Sequence, residues 1–140
     1  VFEAKNHKSY IIIVGCGEMG AYLAGGLSAD GCRVAIIDST QKSFERLPDS
    51  FSGLVLERDA NDAGALEEAD AKVADAVIAV TNCDVLNMFV CKVAKEIYQV
   101  SHVLACPHDQ RSERCYEELG VKTICASELW LEAFRMEMTR

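Results

Sequence analysis

Three glycines and one aspartate carry the clearest chemical pattern in the chain. Gly15, Gly17 and Gly20 follow the apolar run Tyr10-Ile11-Ile12-Ile13-Val14 in the order GxGxxG, and Asp38 stands 18 residues after the last of them. A buried strand that turns through GxGxxG into a helix, with a carboxylate closing the next strand, is an arrangement that binds a dinucleotide. Gly15 permits the tight turn, Gly17 leaves no Cβ between the backbone and a pyrophosphate, and Gly20 lets the helix lie against the strand. The phosphate would rest on the helix N-terminus, where unpaired N–H groups and the macrodipole favour an anion. Cys16, Glu18 and Met19 fill the other loop positions and join the same candidate surface.

The surrounding elements must hold these residues in place. The segment from Ala21 to Gly31 reads as a helix with its apolar side on a sheet, stopped at Gly31. Strand-like runs recur at Tyr10–Val14, Arg33–Ile37, Gly53–Glu57, Ala76–Val80, His102–Ala105 and Lys122–Cys125. They are apolar throughout rather than alternating, which is the mark of a parallel sheet covered on both faces. The expected fold is therefore α/β: a Rossmann-like, doubly wound, six-stranded parallel sheet in three αβα layers, with strand order 3-2-1-4-5-6.

Helices are expected over Gln41–Leu47, ended by Pro48, and from about Asp62 with Ala63, Ala65, Leu66 and Ala69 on one face. A longer one runs from Asp84 through Val85, Phe89, Val93 and Ile97 to about Val100, and a short one from Asp109 as N-cap to Leu119, closed by Gly120. The last begins at Ser127 and carries Leu129, Trp130, Leu131, Ala133, Phe134 and Met138, more apolar circumference than one sheet contact needs. It reads as a subunit contact, as a connection to a further domain, or as a cap on this sheet.

The chain of 140 residues suits one domain, with no room for a second, substrate-binding one. Its 14 basic and 22 acidic residues give a net charge of −8, which argues against a nucleic-acid partner. No uncharged apolar run approaches the ~18 residues of a membrane span, so direct insertion is not expected and the chain reads as soluble and intracellular. It does not begin with Met, which leaves its true ends open. Seven cysteines form no CxxC pair. Cys16, Cys32, Cys91 and Cys125 read as small apolar side chains, Cys106 and His108 lack the further ligands of a zinc site, and Cys83 and Cys106 leave a thiol redox role open.

In an open parallel sheet, ligand lies beyond the carboxyl ends of the strands where strand order reverses. That rule selects Gly15 to Gly20, Asp38 and Ser39, Arg58, Asp59 and Ala60, Thr81, Asn82 and Asp84, and Cys106 and Pro107. Asp38 would accept from ribose hydroxyls and repel a 2′-phosphate, or else be a solvated turn carboxylate. Asp59 could accept from an adenine amino group or cap a helix. Thr81 and Asn82 could meet a phosphate or a second ribose, or merely close the strand.

A dehydrogenase needs a proton-exchanging group opposite the nicotinamide. Of His7, His102 and His108 only His108 falls near the ligand edge, with no acid paired to it in the sequence. The expected role is a binding module, not an enzyme. The alternatives are an NAD-dependent oxidoreductase fragment lacking its substrate domain, and a structural domain with an empty pocket.

The order of motifs resembles a known family. The GxGxxG strand, Asp38, the turn Arg58-Asp59-Ala60, the stretch Ala74-Asp75-Ala76-Val77-Ile78-Ala79-Val80-Thr81-Asn82-Cys83-Asp84-Val85-Leu86-Asn87, and Glu117-Glu118-Leu119-Gly120-Val121 look like the TrkA N-terminal (RCK or KTN) domain, from about Lys8 to Phe134. The resemblance implies a nucleotide-binding domain over residues 9–140 behind an N-terminal extension of residues 1–8. It implies a cytoplasmic regulator of a potassium channel or transporter, peripheral at the inner face of the membrane through a potassium-translocating partner. Such domains bind NAD(H), ATP, ADP or AMP and assemble as dimers that form rings. Carried over by position, Gly15, Gly17, Gly20, Asp38, Asp59 and Thr81 would line the pocket. The companion C-terminal domain often found in such proteins is missing, so the chain reads as a fragment or a stand-alone sensing subunit.

Three departures stand out. Glu18 places a carboxylate beside the phosphate site. Cys106 replaces an arginine that relatives often use for phosphate, and Arg58 replaces a glycine, where it would supply a displaced positive charge. Together they make NAD(H), AMP or ADP the expected ligand and ATP a poorer one.

Overall fold

The computed structural model describes residues 8–108 and 110–140. His7, most of the expected N-terminal extension, and Asp109 as a helix N-cap lie outside the described residues. The five apolar residues of β1 (Tyr10–Val14) are all buried, because this strand runs through the middle of the sheet with layers on both faces. Beside it lie β2 (Arg33–Asp38) and β3 (Leu54–Glu57) on one side, and β4 (Ala76–Ala79), β5 (His102–Ala105) and β6 (Lys122–Thr123) on the other. All pairings are parallel, in the order β3-β2-β1-β4-β5-β6. The expected order is thus the observed one, and it reverses between β1 and β4.

Alternate residues of the strands feed two cores. Ile12, Val14, Ala35, Ile37, Val77 and Ala79 face α2 (Gly64–Glu68), α3 (Asp84–Glu96) and α4 (Glu113–Glu118), with Leu66, Val90, Cys91 and Tyr116 packed among them. Ile11, Ile13, Val34 and Ile36 face α1 (Glu18–Ala29), which contributes Ala21 and Ala24, and Phe44 and Leu47 close that side. The α1 layer thins beyond β4: Ile78 and Leu104, paired across β4 and β5, are only half-buried, and Ile124 is 47% exposed.

Several elements differ from expectation for identifiable reasons. Helix α1 begins at Glu18, earlier than the expected Ala21, and ends at Ala29 with Asp30 as C-cap; Gly31 follows with φ +93° at C′, as expected. The segment expected as a helix over Gln41–Leu47 is a 3-10 turn, Gln41–Arg46. Pro48 holds Leu47 in extended backbone (φ −69°, ψ 142°), which ends the segment one residue before the expected end. Ala63 precedes α2 and is exposed, while Ala65, Leu66 and Ala69 are buried as expected.

Helix α3 ends at Glu96 rather than about Val100, and of Val85, Phe89, Val93 and Ile97 only Val93 is buried. Val85 is 80% exposed, and the buried residues are Asn87, Val90, Cys91, Val93 and Ala94. The final helix, α5 (Ala126–Met138), has no buried residue at all; Trp130 is 69% exposed and Phe134 61%. It does not cap this sheet. Among the described residues no helix is long and apolar enough to cross a membrane.

Candidate functional site

The carboxyl ends of β1, β2 and β4 meet at one edge of the sheet, and the glycine loop crosses it. Gly15 has φ +112°, and a Cβ there would stand 2.8 Å from both the Thr81 nitrogen and the Val80 carbonyl oxygen, so glycine is required on two counts. Its N–H donates to the Ile37 carbonyl at 2.8 Å, stitching the loop to β2. A Cβ on Gly20 would lie 1.8 Å from the Gly15 carbonyl oxygen, so the first turn of α1 can approach the loop only without one. Around Gly17 nothing lies within 4 Å of such an atom. Gly17 is the N-cap of α1 and offers no side-chain cap, so the opening N–H groups of the helix face open space.

Asp38 is fixed by the backbone on both sides. Its Oδ2 accepts the Cys16 N–H at 2.8 Å and its Oδ1 the Thr40 N–H at 2.9 Å. Each carboxylate oxygen has a second acceptor position, so the group is held in orientation with capacity left for a ligand. The Cys16 side chain turns inward and donates to the Ser43 carbonyl at 3.3 Å. Burial pushes its thiol up, and the Asp38 charge pushes it further the same way.

These groups line a cleft of about 520 Å³, of the size that holds a small ligand. Gly15, Cys16, Gly17, Glu18, Met19, Asp38, Ser39, Asp59, Ala60, Thr81 and Asn82 all reach it. Gly20, Arg58, Asp84, Cys106 and Pro107 do not. Gly20 lies behind the loop as a packing glycine. The Arg58 guanidinium binds Asp62 at 2.7 Å and also pairs with Glu68, which turns it toward α2 and away from the cleft. The displaced positive charge expected of Arg58 is therefore not delivered there.

The cleft's cation is Arg46, at the end of the 3-10 turn, whose Nη1 donates a long 3.4 Å bond to the Cys16 carbonyl. Sequence reading passed over it because a helix was expected there; the signal was a basic residue just ahead of Leu47-Pro48, close in sequence to Asp38. Likewise Cys106 and Pro107 do not line the cleft, whereas His108 does; its backbone N–H is tied to Asp84 Oδ1 at 3.0 Å. Asp59 Oδ1 accepts the Asn61 N–H at 2.9 Å, so part of this carboxylate stabilises its own turn.

The β4 side depends on Asn87, fully buried in the first turns of α3. Its Oδ1 accepts from the Thr81 N–H at 2.9 Å and the Thr81 hydroxyl at 2.6 Å, and its Nδ2 donates to the Thr81 carbonyl at 3.1 Å. This network rotates α3 so that Asn87, not Val85 or Phe89, points inward. A polar residue within the helix's apolar stripe was the readable signal.

The thiols divide by environment. Cys91 is buried and its thiol is pushed up to about 12 by burial. Cys125, expected as an apolar filler, is only half-buried at the N-cap of α5. Hydrogen bonds from Ser127 and from the Glu128 N–H hold its thiol below the usual value. Among the described residues no group of three or more His, Cys, Asp or Glu is placed to hold a metal ion.

Residues 11–127 match the model of the TrkA-N domain. Over 115 residues the chain is 37% identical to the Trk system potassium uptake protein TrkA of Streptomyces coelicolor, an alignment that covers 82% of this chain and 52% of that protein. The chain thus spans about half the length of this relative. Two solved structures share the fold. The Kef CTD of Shewanella denitrificans in AMP-bound form has a TM-score of 0.70 at 24% identity, covering 91% of this chain and 81% of that one. The GsuK channel bound to NAD has a TM-score of 0.71 at 16% identity, covering 86% and 22%. With the family match extending from β1 into the start of α5, across the glycine loop, Asp38 and Thr81, the chain belongs to the TrkA-N domain family.

Proposed function

We propose that this chain is the nucleotide-sensing part of a regulator of potassium transport, and that its ligand is NAD(H) or a small adenine nucleotide, AMP or ADP, rather than ATP. One observation carries the reading: the uncapped N-terminus of α1 opens past Gly17 into a cleft that ends at a backbone-anchored carboxylate, Asp38. A phosphate fits the first feature and a ribose diol the second. A 2′-phosphate would meet the Asp38 charge. A long phosphate chain would meet Glu18, with Arg46 as the lone arginine among the described lining residues. The AMP and NAD of the two related structures agree with this ligand class.

The nucleotide acts as a signal and not as a reagent. Among the described residues lining the cleft His108 is the one imidazole, and neither lysine nor tyrosine joins it. Regulation follows if ligand changes the relation between paired domains. Pairing with a second copy, in a dimer or ring, would cover the apolar side chains of α5 and the half-open strip at Ile78, Leu104 and Ile124. The assembly would act on a membrane potassium-translocating subunit from the cytoplasmic side. The test is thermal unfolding against AMP, ADP, ATP, NAD, NADH and NADPH. A ligand at ~100 times its dissociation constant adds about 2.7 kcal/mol. Stabilisation by NAD(H), AMP or ADP but not NADPH is expected; no shift with any of them overturns the reading.

A further inference from the structure

We propose a second binding site at the opposite edge of the sheet from the glycine loop: a basic cavity at the amino ends of β1, β2 and β3 that takes a phosphate dianion, free or as a phosphomonoester, on Arg33 and Lys8. It stands independently of the nucleotide reading above.

The cavity measures about 330 Å³ and lies between the approach to β1, the turn after α1 and the approach to β3. Strand register decides what faces it. Tyr10 and Arg33 open β1 and β2 and stand opposite each other across the parallel pair. The guanidinium lies over the tyrosine ring, 4.8 Å from its centre. That ring is a fixed platform, because the Tyr10 hydroxyl donates to the Ala69 carbonyl at 2.5 Å and its backbone N–H to Asp75 Oδ2 at 2.8 Å. Stacking occupies one face of the guanidinium and leaves its N–H donors, which lie in its plane, for a ligand. Lys8 adds a second positive charge to the lining, and Ser28 and Ser52 add hydroxyls that can donate.

Charge singles this cavity out. The chain carries −8 overall, yet the described lining holds two cations and no carboxylate. Neither Lys8 nor Arg33 meets a carboxylate at ion-pair distance among the described residues. A structural duty toward α1 does not account for them. The carboxyl end of that helix counts for about half a negative charge against two positive ones. Its carbonyls at Gly26, Leu27 and Ser28 already accept the N–H groups of Asp30, Cys32 and Gly31. Two adjacent cations are balanced by a dianion. A phosphate group carries about −1.5 to −2 at neutral pH and its oxygens match the arginine fork, whereas a carboxylate brings a single charge.

The test is a titration of the isotope-labelled chain followed by amide NMR, with inorganic phosphate, glycerol phosphate and acetate at constant ionic strength. The five residues of β1, about 16 Å at the usual rise, separate the two edges, so the amides of Gly15 and Gly17 report on the glycine loop separately. Both phosphates should give saturable shifts at Gly31, Arg33 and Gly53, and acetate should bind at least about tenfold more weakly. Tighter binding of glycerol phosphate assigns the site to a phosphomonoester, and tighter binding of inorganic phosphate assigns it to the free ion. Arg33→Gln should weaken phosphate by about ten- to a hundredfold, with Arg33→Lys and Lys8→Gln weakened less, and each spectrum also reports whether the variant is folded. Shifts confined to the glycine loop, shifts that do not saturate, acetate binding as tightly as phosphate, or affinity unchanged in all three variants overturns the proposal. None of these outcomes touches the nucleotide reading, which stands or falls on the nucleotide panel.

Discussion

Gly17 and Gly20 sit three residues apart in the same motif, yet the structure assigns them opposite kinds of cost. At Gly17, φ is −77° and an added Cβ meets nothing within 4 Å. Gly17→Ala loses about 0.5–1 kcal/mol as a poorer N-cap and regains about 0.4–1 kcal/mol from a stiffer unfolded chain. The net change should lie within about 0.5 kcal/mol, which for 140 residues is a midpoint shift of about 2 °C or less. The new methyl group would, however, occupy the space over the α1 N-terminus. Loss of one charge-assisted hydrogen bond to phosphate costs about 1.5–3 kcal/mol, or roughly 10- to 100-fold in affinity. Gly20→Ala reverses this. Its Cβ would fall 1.8 Å from the Gly15 carbonyl, and Gly15 is pinned by its φ of +112° and its bond to Ile37. That overpacking should cost about 3 kcal/mol and lower the midpoint by about 10 °C. Differential scanning calorimetry with and without NADH reads both quantities. Undiminished NADH affinity in Gly17→Ala would refute the placement of phosphate, and an undisturbed midpoint in Gly20→Ala would refute the packing argument.

Asp38→Asn should leave either the Cys16 or the Thr40 N–H facing an amide NH₂, costing about 1–2 kcal/mol in thermal unfolding, and should narrow the preference for NADH over NADPH. Unchanged selectivity would remove Asp38 from ribose recognition. At pH 8 iodoacetamide should modify Cys125 well before Cys91 or Cys16, as read by peptide mass spectrometry. The Cys125 thiol is held low and reaches the reactive thiolate at lower pH, whereas burial holds Cys91, at about 12, and Cys16 protonated there. Equal labelling of Cys91 and Cys125 in the folded chain would contradict the burial. Phe134→Glu on the exposed face of α5 should change monomer stability by no more than about 0.5 kcal/mol while reducing the mass by light scattering to that of one 15.3 kDa chain. Retention of a larger mass by the variant would place the subunit contact elsewhere.

The sheet was legible because its signals were local and redundant. Continuous apolar runs marked the strands, Gly31 and Gly120 marked helix ends with φ of +93° and +74°, and βα alternation fixed the parallel order. The helices were less legible where a neighbour overrode periodicity. Pro48 held Gln41–Arg46 to a 3-10 turn, and the demand of Thr81 for partners set the rotation of α3 through Asn87. Neither effect appears in the spacing of apolar residues. Helix α5 shows the converse: its apolar residues were plain in the sequence, but only three-dimensional packing reveals that none of them is buried.

The site divides along the same line. Residues whose role depends on backbone position alone, the glycines and Asp38, could be named from the motif, because strand ends and tight turns fix their locations before any side chain is placed. Charged residues could not, since an arginine reaches far enough that its partner, not its Cα, decides where the charge goes. Arg58 follows β3 at the ligand edge, yet Asp62 and Glu68 on the α2 side take its guanidinium. Arg46 meets no carboxylate at ion-pair distance among the described residues and rests on the Cys16 carbonyl by a 3.4 Å bond. A bond that long is weakly held, and a phosphate over Gly17 would compete for the same guanidinium with full charge. The acids at 62 and 68 thus determine which of two arginines stays clear of a carboxylate and lines the cleft, a selection made by side-chain pairing rather than by the fold.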